Sequence, residues 1–117
     1  MNDLPKRIKR QVRELADKAY ERELRAHLEK LASAFDEWRA GSLGTWELTD
    51  RIHRFHDGPN RELFNKYSIG GNAHMYVAHA FVTGLLKESE VPEEVKQGIR
   101  NAIAFYRSQE KDSVKNE

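Results

Sequence analysis

The sequence predicts an all-α protein, a compact bundle of about five helices with a long N-terminal helix and a central, apolar fourth helix. Apolar residues recur at helical spacing along most of the chain. Pro5, Pro59 and Pro92 each stand where such a segment begins, a position at which the missing N–H of proline costs nothing. No Val-, Ile- and Thr-rich stretch alternates apolar and polar residues as a β-strand does.

The first helix is predicted from Pro5 to about Arg39. Its interior has neither glycine nor proline, and Gly41 follows as a terminator. Its apolar residues form two stripes: the first is Ile8, Val12, Leu15 and Ala19, and the second is Leu24, Leu28, Leu31, Phe35 and Trp38. At about 100° per residue the two stripes point roughly 150° apart. A single core therefore cannot cover both stripes of a straight helix.

Two shorter helices follow in the prediction. The second runs from Thr45 to Asp57 and is stopped by Gly58 and Pro59, and the third runs from Pro59 to about Tyr67.

The fourth helix is predicted from Ala73 to Lys87 and the fifth from Pro92 to about Ser108. Apolar residues cover most of the circumference of the fourth helix, which is typical of a helix in the centre of a bundle. Residues 109–117 are polar and are expected to form a disordered tail. The chain is thus predicted to be a single helical domain over residues 1–108 followed by that tail.

Composition limits the classes of function. The 117 residues carry 20 basic and 19 acidic side chains, so the net charge of +1 gives no overall attraction to nucleic acid or membrane. The sequence contains no cysteine, which excludes disulfides, thiolate metal sites and a cysteine nucleophile. It has no apolar run long enough to span a bilayer and no signal peptide. We therefore expect a cytoplasmic protein.

The change of apolar face along the first helix favours self-association. If the core of one chain covers the second stripe, the first stripe needs another partner, and a second copy of the chain is the commonest one. The interface residues predicted on this basis are Ile8, Val12, Leu15 and Ala19. The alternative is that a later helix of the same chain covers them. The leading hypothesis is therefore a protein-interaction or regulatory protein that forms a homodimer or binds another helical protein.

A basic stripe at the N-terminus suggests a different partner. Opposite the first apolar stripe lie four basic residues, Lys6, Lys9, Arg10 and Arg13. A basic amphipathic helix can bind nucleic acid through phosphate contacts. However, Glu14 and Asp17 follow one turn later, and the segment has no aromatic residue to stack on bases. Nucleic-acid binding is therefore not the favoured prediction.

His53 is the candidate for chemistry. Helical spacing places Asp50 one turn before it and Asp57 one turn after it, so the three are candidate catalytic residues. His53 and His56 also provide half of a divalent metal site, which His79 of the fourth helix could extend. The histidine pair with an intervening glutamate that marks many metallohydrolases is absent. An enzyme with a metal or acid–base site is therefore the alternative hypothesis, and otherwise no cofactor is predicted.

One segment carries a resemblance. Residues 52–64, with the sequence IHRFHDGPNRELF, resemble a run found in small uncharacterised bacterial all-helical proteins. The resemblance covers about a tenth of the chain. It implies a bacterial cytoplasmic setting and no particular activity or site residue.

Overall fold

The computed structural model describes residues 4–68 and 71–115, with side chains to residue 111. Six α-helices follow in order: α1 Lys6–Arg39, α2 Thr45–Phe55, α3 Arg61–Ser68, α4 Ala73–Thr83, α5 Glu93–Gly98 and α6 Arg100–Lys115. A π turn, His56–Asn60, joins α2 to α3, and a 3-10 turn, Glu88–Glu90, lies between α4 and α5. No strand occurs within these ranges, so the predicted all-α class is confirmed.

The chain divides into two compact units. The first unit contains α1 up to Ala19 together with α4, α5 and α6. The second unit begins at Tyr20 and contains the rest of α1, α2, the π turn and α3. Within the described ranges, the helices fall short of the length and apolar character needed to cross a membrane.

The first unit holds the apolar stripe for which we had predicted a partner. Ile8, Val12, Leu15 and Ala19 are at most 6% exposed within the single chain. Gly98 shows how closely α5 approaches, because a Cβ added there would lie 3.4 Å from Cγ2 of Ile8. The interface assignment of these four residues is therefore corrected: they belong to an intramolecular core. The alternative that a later helix of the chain covers them is the one that the structure bears out.

Helix α4 occupies the middle of the first unit, as its apolar circumference predicted. Val77, Ala78 and Ala80 are buried, and the remaining residues from Ala73 to Val82 are half-buried. The helix ends earlier than predicted because Gly84 adopts a positive φ of 84° and closes it with an N–H bond to the carbonyl of Phe81.

The predicted fifth helix is divided at Ile99 into α5 and α6. Helix α6 then continues through Lys115 instead of ending near Ser108. The stretch assigned to a disordered tail is therefore helical over residues 109–115, and residues 116–117 lie outside the described part.

The second unit has a small core. Ala34 of α1, Leu43 of the following loop and Leu48 of α2 form a buried cluster against which Phe35 packs. Leu63 of α3 is also buried. Gly41, with a φ of 85°, ends α1 as predicted, since this left-handed conformation favours glycine.

Replacing Leu15 with alanine tests the assignment of the first stripe to the core. Because Leu15 is buried within one chain, the free energy of unfolding should fall by about 2–5 kcal/mol at every protein concentration. Urea unfolding at low and high protein concentration measures this loss. Lys9→Ala, at an exposed position of the same helix, is the matched control and should change stability by less than about 0.5 kcal/mol. A stability that rises with concentration in the parent and not in the variant would instead make Leu15 an interface residue.

Candidate protein-interaction site

The two units bury their apolar residues to very different extents. Fourteen of the eighteen buried hydrophobic residues that the structure describes belong to the first unit. The second unit instead exposes five large hydrophobic side chains, Leu28, Trp38, Trp46, Ile52 and Phe64. Exposed apolar surface that forms a contiguous patch often marks a binding region. The second unit is therefore the place to look for an interaction site.

An apolar groove runs between α1 and α2 in this unit. One wall comes from a single face of α1, where His27, Lys30, Leu31 and Ala34 follow at helical spacing. The other wall comes from α2 and the π turn and consists of Arg51, Arg54, Phe55 and Pro59. The cavity measures about 220 Å³, and its surface is mainly apolar. It is a shallow, open site suited to a few side chains of a partner.

The π turn shapes one end of the groove. We predicted that Gly58 and Pro59 would stop the second helix, but the helix continues through them and on into α3. A proline inside an α-helix clashes with the carbonyl four residues before it, and the wider π turn relieves that clash. Pro59 consequently remains inside the helical segment and lines the groove.

The charged side chains that line the groove are basic. Lys30, Arg51 and Arg54 line it together with His27, and the lining residues that the structure describes include no Asp or Glu. Arg51 lies 3.3 Å from Oε2 of Glu37, and Arg54 lies 2.8 Å from Oδ2 of Asp50.

These two ion pairs are exposed and each stabilises the fold by less than about 1 kcal/mol. Lys30 has no carboxylate partner among the described residues. The groove therefore combines an apolar floor with a positive rim.

A cluster of polar and aromatic side chains holds α3 against α1. Tyr67 donates a 2.5 Å hydrogen bond to Oε2 of Glu23, and Nζ of Lys66 lies 3.2 Å from the same oxygen. The ring of Tyr67 stacks on that of Tyr20 with centroids 5.0 Å apart. Because Glu23 is only about a quarter exposed, these contacts are less screened than the other ion pairs of this unit.

Two tryptophans mark the corner between α1 and α2. Nε1 of Trp38 donates a hydrogen bond of 3.1 Å to Oγ1 of Thr45, which ties the end of α1 to the start of α2. Trp46, in the first turn of α2, is 85% exposed.

The predicted catalytic residues are all exposed and are divided among different contacts. Asp50 forms its ion pair with Arg54, and the carboxylate of Asp57 lies 3.9 Å from Arg61. Each carboxylate thus lies beside the arginine four residues later instead of beside His53. The acid–base arrangement that spacing suggested for His53 is not formed by these contacts.

The three predicted metal ligands are divided between the two units. His53 and His56 belong to the second unit, whereas His79 belongs to the first, where its ring packs edge-on against Tyr106 at 4.9 Å. Within the described residues, no three His, Asp or Glu side chains are arranged to hold a metal ion.

The basic stripe is formed as predicted. Lys6, Lys9, Arg10 and Arg13 are exposed on the first two turns of α1. None of the four has a carboxylate partner in the described part of the chain, whereas the adjacent Arg7 pairs with Glu94 at 2.7 Å.

Comparison of the chain with protein-family models, with characterised proteins and with solved structures gives no significant match. The resemblance noted for residues 52–64 is therefore not accompanied by a family match, and it adds no site residue. A proposal about function therefore rests on the geometry of the two units.

The groove itself was missed at the level of sequence. Leu31 was placed on an apolar stripe, yet it is only half-buried and lines the groove together with the half-buried Phe55.

Tyr67→Phe tests whether the Glu23 contact stabilises the second unit. Removal of the hydroxyl leaves the Glu23 carboxylate without its short hydrogen bond, so the free energy of unfolding should fall by about 1–2 kcal/mol. Thermal or urea unfolding measures the change. Tyr20→Phe is the control, because it keeps the stacked ring and its hydroxyl has no hydrogen-bond partner in the described residues. Equal losses in the two variants would show that the hydrogen bond itself contributes nothing.

Proposed function

We propose that this protein is an interaction module whose second unit binds an acidic, amphipathic helical segment of another protein in the groove between α1 and α2. The observation that supports the proposal most strongly is the apolar groove with basic residues along its rim and no acidic residue among the described lining. An amphipathic helix fits such a groove by inserting its apolar face and leaving its polar face towards the rim.

Charge indicates the class of partner. Lys30, Arg51 and Arg54 would favour Asp and Glu on the flanks of the bound segment and disfavour Lys and Arg there. Lys30 is available for such a contact, since no carboxylate pairs with it in the described part of the chain. The two arginines can exchange exposed ion pairs for contacts with the partner at little cost.

The apolar floor supplies the binding energy in this proposal. Leu31, Phe55 and Pro59 are half-buried, and a large side chain of the partner would remove their remaining surface from water at about 25 cal/mol per Å². The exposed hydrophobic residues elsewhere in the unit extend the surface that a longer partner could cover. We propose a cytoplasmic setting for this interaction, as the lack of cysteine suggests.

Self-association remains a separate prediction. Its original basis is removed, because Ile8, Val12, Leu15 and Ala19 are already covered within one chain. The surface left for a second copy would be the groove and the exposed apolar residues of the second unit. A second copy is thus a competing occupant of the same site.

The proposal is tested with two synthetic helical peptides labelled with a fluorophore. Both carry leucines at helical spacing on one face, and the other positions are Glu in the first peptide and Lys in the second. Fluorescence polarisation should give at least about tenfold tighter binding of the Glu peptide. Lys30→Glu should weaken that binding by about tenfold, and Leu31→Glu should abolish it. Lys9→Glu, at an exposed lysine of the first unit, is the control and should leave binding unchanged.

Three results would contradict the proposal. Equal affinity for the Glu and Lys peptides, or equal weakening by Lys30→Glu and Lys9→Glu, would remove the role of the basic rim. A dimer in light scattering that Leu31→Glu dissociates would make a second copy the occupant. Circular dichroism shows whether Leu31→Glu remains folded, and Lys30→Glu tests the proposal even if it does not.

A second candidate function is polyanion binding by the N-terminal basic stripe. It is favoured by one observation: Lys6, Lys9, Arg10 and Arg13 are exposed and have no carboxylate partner in the described residues. Placing cations at the positive end of a helix is also unfavourable for stability, and the first turn of α1 contains no acidic residue to offset them.

Replacing the four basic residues with alanine tests this second candidate. A fluorescent DNA duplex should bind the parent protein weakly at about 50 mM salt, and the slope of log K against log salt should be about −3.6 for four phosphate contacts. The quadruple variant should lose this binding. The control combines Lys30→Ala, Arg51→Ala and Arg54→Ala, which removes basic residues from the groove and should leave the slope unchanged. Absence of binding by the parent at low salt ends this candidate.

A further inference from the structure

The first unit contains a second cavity of different chemistry. It measures about 300 Å³, which is at the lower end of the range for small-molecule sites. One face of α6 lines it with Arg100, Ile103, Ala104 and Arg107, while Phe81 of α4 and Lys96 of α5 complete it together with Glu88 and Glu93. Polar and apolar surface contribute in nearly equal parts, in contrast to the groove of the second unit.

The basic residues of this cavity differ in the ion pairs that they form. Nζ of Lys96 lies 3.5 Å from a carboxylate oxygen of Glu88 and 3.8 Å from one of Glu93, so its charge is compensated. Arg100 and Arg107 have no carboxylate within ion-pair distance in the described residues.

The contacts that these two arginines do make leave their charge unbalanced. Nη1 of Arg100 donates to the backbone carbonyl of Gln97 at 3.1 Å, and the guanidinium carbon of Arg107 lies 5.7 Å from the centroid of the Phe81 ring. The cavity is therefore lined by Glu88 and Glu93 together with two guanidinium groups that form no ion pair within the described residues.

The spacing of the two arginines indicates the shape of a ligand. They lie seven residues apart on α6, which separates their Cα atoms by about 10.5 Å, two helical turns. Ile103 and Ala104 lie between them on the same face of the helix, and Phe81 from α4 adds a ring to this apolar surface. A guanidinium group binds a carboxylate through two parallel N–H···O bonds, which suits a planar anionic group at each arginine.

We propose that this cavity binds an elongated organic dianion, such as a dicarboxylate, whose two anionic groups contact Arg100 and Arg107 and whose apolar middle covers Ile103, Ala104 and Phe81. The site lies wholly in the first unit, and it is independent of the groove proposed above for a protein partner. Its failure would leave that proposal intact.

Dicarboxylates of increasing length test the site directly. Succinate, adipate and suberate are titrated into the full chain, and amide chemical shifts in NMR spectra report binding and its location. Affinity should rise with length and be highest for adipate or suberate, with the shift changes confined to residues around Arg100 and Arg107. Octanoate, with the same number of carbons as suberate and one carboxylate, should bind at least about tenfold more weakly.

Single substitutions separate this site from general charge attraction. Arg100→Gln and Arg107→Gln should each weaken suberate binding about tenfold, and Arg107→Lys should recover little of it because lysine cannot form the paired contact. Arg10→Gln, at an exposed arginine of the same unit, is the control and should have no effect.

Several outcomes would overturn the proposal. Equal binding of octanoate and suberate would show that only one anionic group matters. Equal weakening by Arg10→Gln and Arg107→Gln would reduce the effect to net charge. No saturable shift with any of the dicarboxylates would show that the cavity does not bind this class of ligand.

Discussion

Helix α1 contributes to two hydrophobic cores, and the rest of the structure depends on this division. Ile8, Val12, Leu15 and Ala19 are buried with residues of α4, α5 and α6, whereas Ala34 packs with Leu43 and Leu48. The turn of the apolar stripe near Tyr20 coincides with the boundary between the two compact units. In a bundle with one core, an apolar stripe that changes face suggests an uncovered interface. In a helix shared by two cores, the same change of face is the expected pattern.

The two units cover their apolar side chains to different extents. The first unit surrounds α4 on most sides and leaves Phe105 as its one strongly exposed large hydrophobic residue among those described. The second unit contains three short elements besides its part of α1, and these are too few to enclose Leu28, Ile52 and Phe64. A small unit buries a smaller share of its surface than a large one, so the uncovered residues follow from its size. The proposed groove lies in this incompletely covered unit, beside a row of basic side chains.

Local ion pairs hold the two carboxylates that spacing placed near His53. Asp50 and Asp57 each have an arginine four residues later on the same helical segment, and that spacing brings the charged groups together. An arginine carries its charge at any physiological pH and offers several N–H donors, so it competes effectively with His53 for these carboxylates. In the first unit, Arg100 and Arg107 form no ion pair with a carboxylate in the described part of the chain.

The sequence by itself determined the class of fold and the two ends of α1. Pro5 precedes α1, and Gly41 with its positive φ ends that helix, because these residues act through their own backbone geometry. Periodicity likewise identified the apolar faces of Leu15 and Leu31. Only the tertiary structure decided what covers those faces, since helical spacing gives a direction but does not say which element lies there. In the tertiary structure, Leu15 is part of a core and Leu31 lines a groove. The helix continues through Pro59 as a π turn.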